Sequence, residues 1–183
     1  MSDHVVETVP GGALYRPSRF SGLTPGRRIL ALDPGLRVGW ALINVQDQVR
    51  QAVAGGFLEL DRDKLYASSF RFINTLLDEF GPAAVALEQY FVAPGAHCGQ
   101  SIEVRGAMKA AIERAELPWT QVNPATVRAS LGVRGRLKDS QIRDIVVNLL
   151  RIPAKYRPDP AKKRDKFFPA DVFDAAAVGW ATE

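Results

Sequence analysis

The chain has 183 residues, of which 46% are hydrophobic, and it carries a net charge of +4 at neutral pH. This length allows one domain with a substantial core, and the single cysteine excludes an intramolecular disulfide and suits a reducing, cytoplasmic compartment. No apolar run approaches the roughly 18–20 residues of a membrane span, so no membrane partner is expected.

The first third of the chain predicts a tail followed by three strands. Proline and glycine recur through residues 1–27 without a sustained apolar period, which predicts a flexible N-terminal tail. The folded domain is expected over residues 28–183. Its first strands are predicted at Ile29–Asp33, Val38–Val45 and Gln51–Leu60, with a tight turn at Pro34-Gly35 between the first two.

The rest of the chain alternates between helical and strand patterns. An apolar stripe predicts a helix over Lys64–Phe80, and an almost wholly apolar run predicts a buried strand at Ala83–Glu88. The later elements are a helix at Gly99–Ala115, a strand at Trp119–Val122, a short helix from Pro124 through Leu131, a loop over 132–138, and helices at Ser140–Leu150 and Ala170–Thr182. This order predicts an α/β domain with a five-stranded mixed sheet flanked by helices, the order of the ribonuclease H-like fold.

Four carboxylates stand out because of the segments that bear them. Asp33 ends the first strand, Glu88 ends the buried strand, and Asp171 and Asp174 lie one turn apart on the last helix. Each has a structural explanation alone, as a turn residue, a strand-end acid or an acid in a first helical turn. Together, without a partnering His or Cys, they are the oxygen ligands that Mg²⁺ or Mn²⁺ prefers. The joint pattern predicts a phosphodiester nuclease with two cations per active site.

Positive charge is concentrated just before the last helix. Residues 151–168 hold seven basic and two acidic side chains, a local charge of +5, and the basic loop at 154–170 includes Lys162, Lys163 and Arg164. Such a patch suits contact with nucleic acid, although a solvated basic loop would have the same composition.

Five motifs resemble those of the bacterial RuvC Holliday-junction resolvases, in the family's order and over about residues 28–182. They are Ile-Leu-Ala-Leu-Asp-Pro-Gly-Leu-Arg-Val-Gly, Ala-Leu-Glu-Gln-Tyr-Phe, Val-Arg-Gly-Ala, Leu-Lys-Asp-Ser-Gln-Ile and Ala-Asp-Val-Phe-Asp-Ala-Ala-Ala. The resemblance implies a ribonuclease H-like homodimer that binds four-way DNA junctions and nicks two strands symmetrically in recombination and repair. It also implies a branch-migration helicase as a partner.

The resemblance also implies roles for individual residues. All four acids match the family's catalytic metal ligands. Phe91 matches an aromatic that stacks on an unpaired base near the junction centre, with a core or dimer contact as the alternative. Lys138 and Arg128 match basic residues near the scissile phosphate. One face of the Gly99–Ala115 helix carries small residues, and this face and the resemblance together predict a two-fold dimer packed through that helix. The residues of this face are Ile102, Ala107, Ala111 and Ala115.

Other functions fit parts of the pattern. A RuvC-like nuclease acting on RNA or other branched DNA would share the fold and the acids, although Phe91 and the Val-Arg-Gly-Ala segment favour the junction resolvase. A non-catalytic junction-binding module is disfavoured because a site without chemistry would gain stability by losing its acids. The Asp-Pro-Gly turn is also similar to the phosphate loop of sugar kinases and actin-like ATPases, but these need two copies of the domain.

Overall fold

The computed structural model describes residues 5–9, 12–16, 26–60, 62–89, 99–133, 139–152 and 170–182. Within these ranges the strands are β1 (Val5–Val9), β2 (Gly12–Arg16), β3 (Arg27–Asp33), β4 (Arg37–Gln46), β5 (Val49–Glu59), β6 (Ala84–Glu88) and β7 (Trp119–Val122). The helices are α1 (Leu65–Phe80), α2 (Gly99–Arg114), α3 (Pro124–Ser130), α4 (Asp139–Leu149) and α5 (Ala170–Trp180). No helix in these ranges is both long and apolar enough to cross a bilayer.

The main sheet has the predicted five strands in the order β5-β4-β3-β6-β7. Strands β3, β4 and β5 form an antiparallel meander, and β6 and β7 add to it in parallel. The short turn between β3 and β4 permits only an antiparallel hairpin, whereas the helical crossover through α1 brings β6 parallel to β3. The mixed sheet and its flanking helices confirm the predicted fold class.

Each face of the sheet is covered by a different set of helices. Leu30 and Leu32 of β3 face a core that also contains buried residues of α1 and α2. Ile29 and Ala31 face the second core, together with residues of α3, α4 and α5. Because side chains alternate along a strand, Asp33 continues the second series and lies on the α5 face. Glu88 lies on the same face by the same alternation from Ala86.

The N-terminal region differs from the predicted flexible tail. β1 and β2 pair as an antiparallel hairpin, with Val9 opposite Gly12, in a sheet separate from the main one. Short alternating segments such as Val-Val-Glu-Thr-Val fit one face of a strand, and the intervening Pro10-Gly11 is turn sequence. The expectation of a region without regular structure was therefore wrong for these two strands, because the frequent prolines and glycines concealed two short strand patterns.

The small residues of α2 also lie differently from the prediction. Ala107 and Ala111 are fully buried in the protomer's own core, where α2 packs against α1. They provide close helix packing within one chain and leave no surface for a second copy. The other two residues of the predicted face are exposed: Ile102, which is 56% exposed, and Ala115. Gly106 also has open space beside it.

Helix α5 lies close to the sheet because a glycine stands at each of two points where they meet, one on the sheet and one on the helix. A Cβ at Gly39 of β4 would lie 2.0 Å from the Asp171 backbone oxygen, and a Cβ at Gly179 would lie 2.5 Å from an Ile43 side-chain carbon. Glycine in a strand interior commonly marks such a close backbone approach. The two glycines therefore allow both ends of α5 to rest on β3 and β4.

We expect Gly39→Ala to lower stability, because the added methyl group meets backbone that cannot rotate away. Overpacking of this kind costs about 1–3 kcal/mol, which corresponds to a fall in Tm of about 2–12 °C for a chain of this length. Gly99→Ala is the matched control, since nothing lies near its Cβ position. Thermal unfolding followed by circular dichroism compares the two, and equal melting temperatures would contradict the close-approach interpretation.

Candidate active site

The structure gathers the four predicted acids at one edge of the main sheet. Leu32 pairs with Leu87 in the parallel β3–β6 ladder, so Asp33 and Glu88 follow side by side where these strands end. Asp33 is also opposite Gly39, on which the start of α5 rests. Asp171 and Asp174 in the first turns of α5 are thereby brought to the same edge.

Burial and the neighbouring carboxylates both favour the protonated form of Asp33. Burial raises the pKa of Asp33 from 3.8 to about 9, and the Glu88 carboxylate contributes to this rise through its charge and a side-chain hydrogen bond. Asp174 and Asp171 add smaller contributions in the same direction. At neutral pH and without a cation, Asp33 is therefore protonated and shares its proton with Glu88.

Asp171 is held by an arginine that the sequence analysis did not assign to the site. Arg37 Nε donates to Asp171 Oδ2 at 2.6 Å, and Arg37 Nη2 lies 2.5 Å from the same oxygen. Arg37 begins β4, four residues after Asp33. A basic residue so close to a catalytic Asp-Pro-Gly turn is a signal that could have placed it there.

A second arginine fixes the end of β6. Arg105, from the Val-Arg-Gly-Ala segment of α2, donates from Nη2 to the Glu88 backbone carbonyl. The resemblance singled out this segment without giving Arg105 a role. The contact joins α2, on one face of the sheet, to the strand end whose side chain points to the other face.

A cleft of about 190 Å³ opens beside the acids. Asp33, Glu88 and Asp174 line one side, and α3 and α4 form the other side. That opposite wall is lined by Val127, Arg128, Leu131 and Ile142. Arg128 is exposed, so the predicted basic residue stands at the mouth of an otherwise acidic cleft.

The donor set fits hard divalent cations in its chemistry. All four side chains offer oxygen ligands, and a bound cation would oppose the burial and the repulsion from Glu88 that together favour the protonated form of Asp33. Among the described residues, however, no group of three or more acidic, His or Cys side chains is closed tightly enough to surround an ion. Asp171 instead turns to Arg37, so the acids must rearrange locally to enclose a cation.

The remaining predicted site residues lie outside the described ranges. They are Phe91, Lys138, Lys162, Lys163 and Arg164. Their predicted contacts with DNA stay predictions.

Comparison with known proteins decides the family. The family model for crossover junction endodeoxyribonuclease RuvC matches residues 29–179. The chain belongs to the RuvC family. The RuvC of Sorangium cellulosum is 31% identical over 143 residues, which cover 73% of this chain and 78% of that protein. The RuvC of Roseiflexus sp. is 28% identical over 140 residues, with 73% and 83% covered.

Solved structures agree on the fold. RuvC of T. thermophilus, solved in complex with a Holliday junction substrate, has a TM-score of 0.67 at 17% identity, covering 84% of this chain and 91% of that chain. The yeast mitochondrial Holliday junction resolvase has a TM-score of 0.61 at 16% identity, covering 88% and 79%. The RuvC chain described here therefore has the ribonuclease H-like fold.

The raised pKa of Asp33 predicts how stability depends on pH without cations. Because the folded-state pKa exceeds the unfolded value, the stabilising contribution is complete below pH 3.8 and is lost as pH rises through about 9. An asparagine side chain mimics the protonated acid, so we expect Asp33→Asn to melt at a higher temperature than wild type at pH 8–9 in EDTA. Each kcal/mol that the substitution adds to the free energy of unfolding corresponds to a rise in Tm of about 2–4 °C.

The measurement is a thermal-unfolding series from pH 5 to pH 9 in EDTA. Asp78→Asn, an exposed acid on α1, serves as the control and should follow wild type. Parallel curves for Asp33→Asn and wild type would show that Asp33 is ionised in the folded protein.

Proposed function

We propose that the four-acid cluster holds two divalent cations, Mg²⁺ or Mn²⁺, with which this RuvC endonuclease resolves four-way DNA junctions. The observation that carries the proposal is the convergence of Asp33, Glu88, Asp171 and Asp174 beside a cleft in a chain of this family. The RuvC family is one of metal-dependent nucleases that act at crossover junctions, and this chain is a crossover junction endodeoxyribonuclease. The number of cations and the choice between Mg²⁺ and Mn²⁺ are our proposal.

The bound cations would activate a water and stabilise the leaving oxygen of an in-line phosphodiester displacement. The chain's own residues would hold the cations and orient the phosphate group. Asp33 and Glu88 present adjacent carboxylates from rigid strand ends, and Asp174 presents a third from α5. Arg128 stands across the cleft, where its guanidinium would hold a phosphate oxygen of the cleaved strand.

Symmetric cleavage needs two such sites related by a two-fold axis, because a four-way junction has approximate two-fold symmetry. We propose a homodimer on this ground and on the resemblance to the family. The outer side of α2, with exposed Ile102 and unobstructed Gly106, supports a contact through this helix, in place of the buried alanines. A branch-migration helicase as partner and a cytoplasmic location rest on the resemblance and on the composition.

Residues 28–183 form the proposed nuclease domain, with the basic loop at 154–170 as an additional DNA contact. Lys138, Lys162, Lys163 and Arg164 would bind backbone phosphates, and Phe91 would stack on an opened base near the crossover. These assignments depend on the resemblance and on the charge of the loop.

Cleavage of a labelled four-way junction tests the function. We expect nicking in Mg²⁺ or Mn²⁺, none in EDTA, and little nicking of a linear duplex of the same sequence. Glu88→Gln should abolish detectable single-turnover cleavage, because it removes one of the carboxylates proposed to hold the cations. Asp78→Asn, on the opposite face, is the control. Near-normal cleavage by Glu88→Gln would remove the acid cluster from the mechanism.

Arg128 should contribute to affinity through phosphate contact and not through base recognition. We expect Arg128→Ala to weaken binding to junction and duplex alike and to reduce the salt slope of log K by about one. Binding isotherms over a salt series, measured in Ca²⁺, give this slope. Arg71→Ala on α1 is the matched control, because Arg71 donates to the Ala67 carbonyl of its own helix. An unchanged slope would place Arg128 outside the DNA-binding surface.

A further inference from the structure

Arg37 occupies a position in the acid cluster that the proposed chemistry does not use. Its neighbour Val38 is buried in the core with α1 and α2, so alternation directs Arg37 to the α5 face, where the acids lie. Both contacting nitrogens converge on one oxygen of Asp171, at 2.5 and 2.6 Å. A cation bound by that oxygen would need the space that the guanidinium fills.

The guanidinium is held from two directions. Its central carbon lies 5.6 Å from the centre of the Phe57 ring, a distance at which a cation and an aromatic face attract each other. Asp171 is placed beside the guanidinium because its backbone rests on Gly39, two residues after Arg37. The Arg37 side chain is 42% exposed, and Phe57 and Asp171 supply its contacts with the protein.

We propose that Arg37 is a positioning residue that holds the Asp171 carboxylate when no cation is bound and competes with divalent cations for it. The inference rests on the proposed cation site. Arg37 supplies a positive charge to a cluster that would otherwise bring together uncompensated carboxylates. The positive guanidinium of Arg37 also opposes the binding of a divalent cation to the same Asp171 oxygen.

The effect on cation affinity distinguishes a competing role of Arg37 from a purely structural role. Removing a structural ion pair would lower the stability of the metal-free protein and would leave cation affinity unchanged or weaker. Removing a competitor lowers metal-free stability as well, but it strengthens cation binding. The strengthening must also depend on Asp171, since a general loss of positive charge would act whether or not Asp171 is present.

The test is a double-mutant cycle with Mg²⁺ titrated into the full chain in the absence of DNA. Wild type, Arg37→Gln, Asp171→Asn and the double variant are compared by calorimetry, and their Tm values are measured in EDTA and in Mg²⁺. We expect Arg37→Gln to lower the Tm in EDTA and to tighten Mg²⁺ binding about 1.5- to 5-fold, the range of one partly exposed charge pair. In the Asp171→Asn background, Arg37→Gln should leave Mg²⁺ binding unchanged.

Arg71→Gln is the matched control for loss of an arginine and should bind Mg²⁺ like wild type. Unchanged or weaker Mg²⁺ binding by Arg37→Gln would overturn the competition, as would equal tightening with and without the Asp171 carboxylate. If wild type itself bound no Mg²⁺ or Mn²⁺ at millimolar concentration, the cation site of the proposed function would fail first. The two failures are therefore distinguishable.

Discussion

The close approach of α5 to the sheet is the constraint on which the site depends. Two acids come from strand ends and two from a helix far along the chain, and the packing of α5 on the sheet, with Gly39 against the Asp171 backbone, brings the pairs together. Any side chain at Gly39 would lift the first turn of α5 away from Asp33. Gly179 allows a similarly close approach at the other end of the helix, so the helix lies along the sheet over its whole length.

This arrangement brings several carboxylates close together, and two interactions reduce the repulsion between them. Asp33 is buried beside Glu88 and keeps its proton, which removes one charge at neutral pH. Asp171 is paired with Arg37, which offsets a second. Both responses can be reversed by a divalent cation, because a cation can replace a proton on one carboxylate and a guanidinium on another. In the proposed cation site, a bound cation would therefore exchange with the local interactions of Asp33 and Asp171.

The sequence predicted those features that depend on local pattern. The apolar runs ending in Asp33 and Glu88 correspond to strands β3 and β6, and the ends of β7 were predicted to the residue. The N-terminal hairpin was missed because its strands are short and surrounded by proline and glycine. The inward orientation of Ala107 and Ala111 could not be read from α2 alone, since small residues serve a helix contact within one chain or between two. Arg105 was missed for a related reason, because no pattern in α2 points to the backbone of Glu88. The place of Arg37 near the Asp-Pro-Gly turn could be inferred from the sequence, but its partner Asp171, 134 residues further on, could not.

The two arginines also contribute to holding the acids in place. Arg105 binds the backbone of Glu88, and Arg37 binds Asp171, whose own backbone rests on β4. Strand pairing fixes the backbone of Asp33. Strand pairing, Arg105 and the contact with Gly39 thus fix the backbones of these three acids. Their side chains interact as well, since Asp33 hydrogen-bonds to Glu88 and Asp171 pairs with Arg37. Replacing an acid by its amide therefore removes charge while the scaffold stays, and loss of cleavage in such a variant can be attributed to chemistry and not to unfolding.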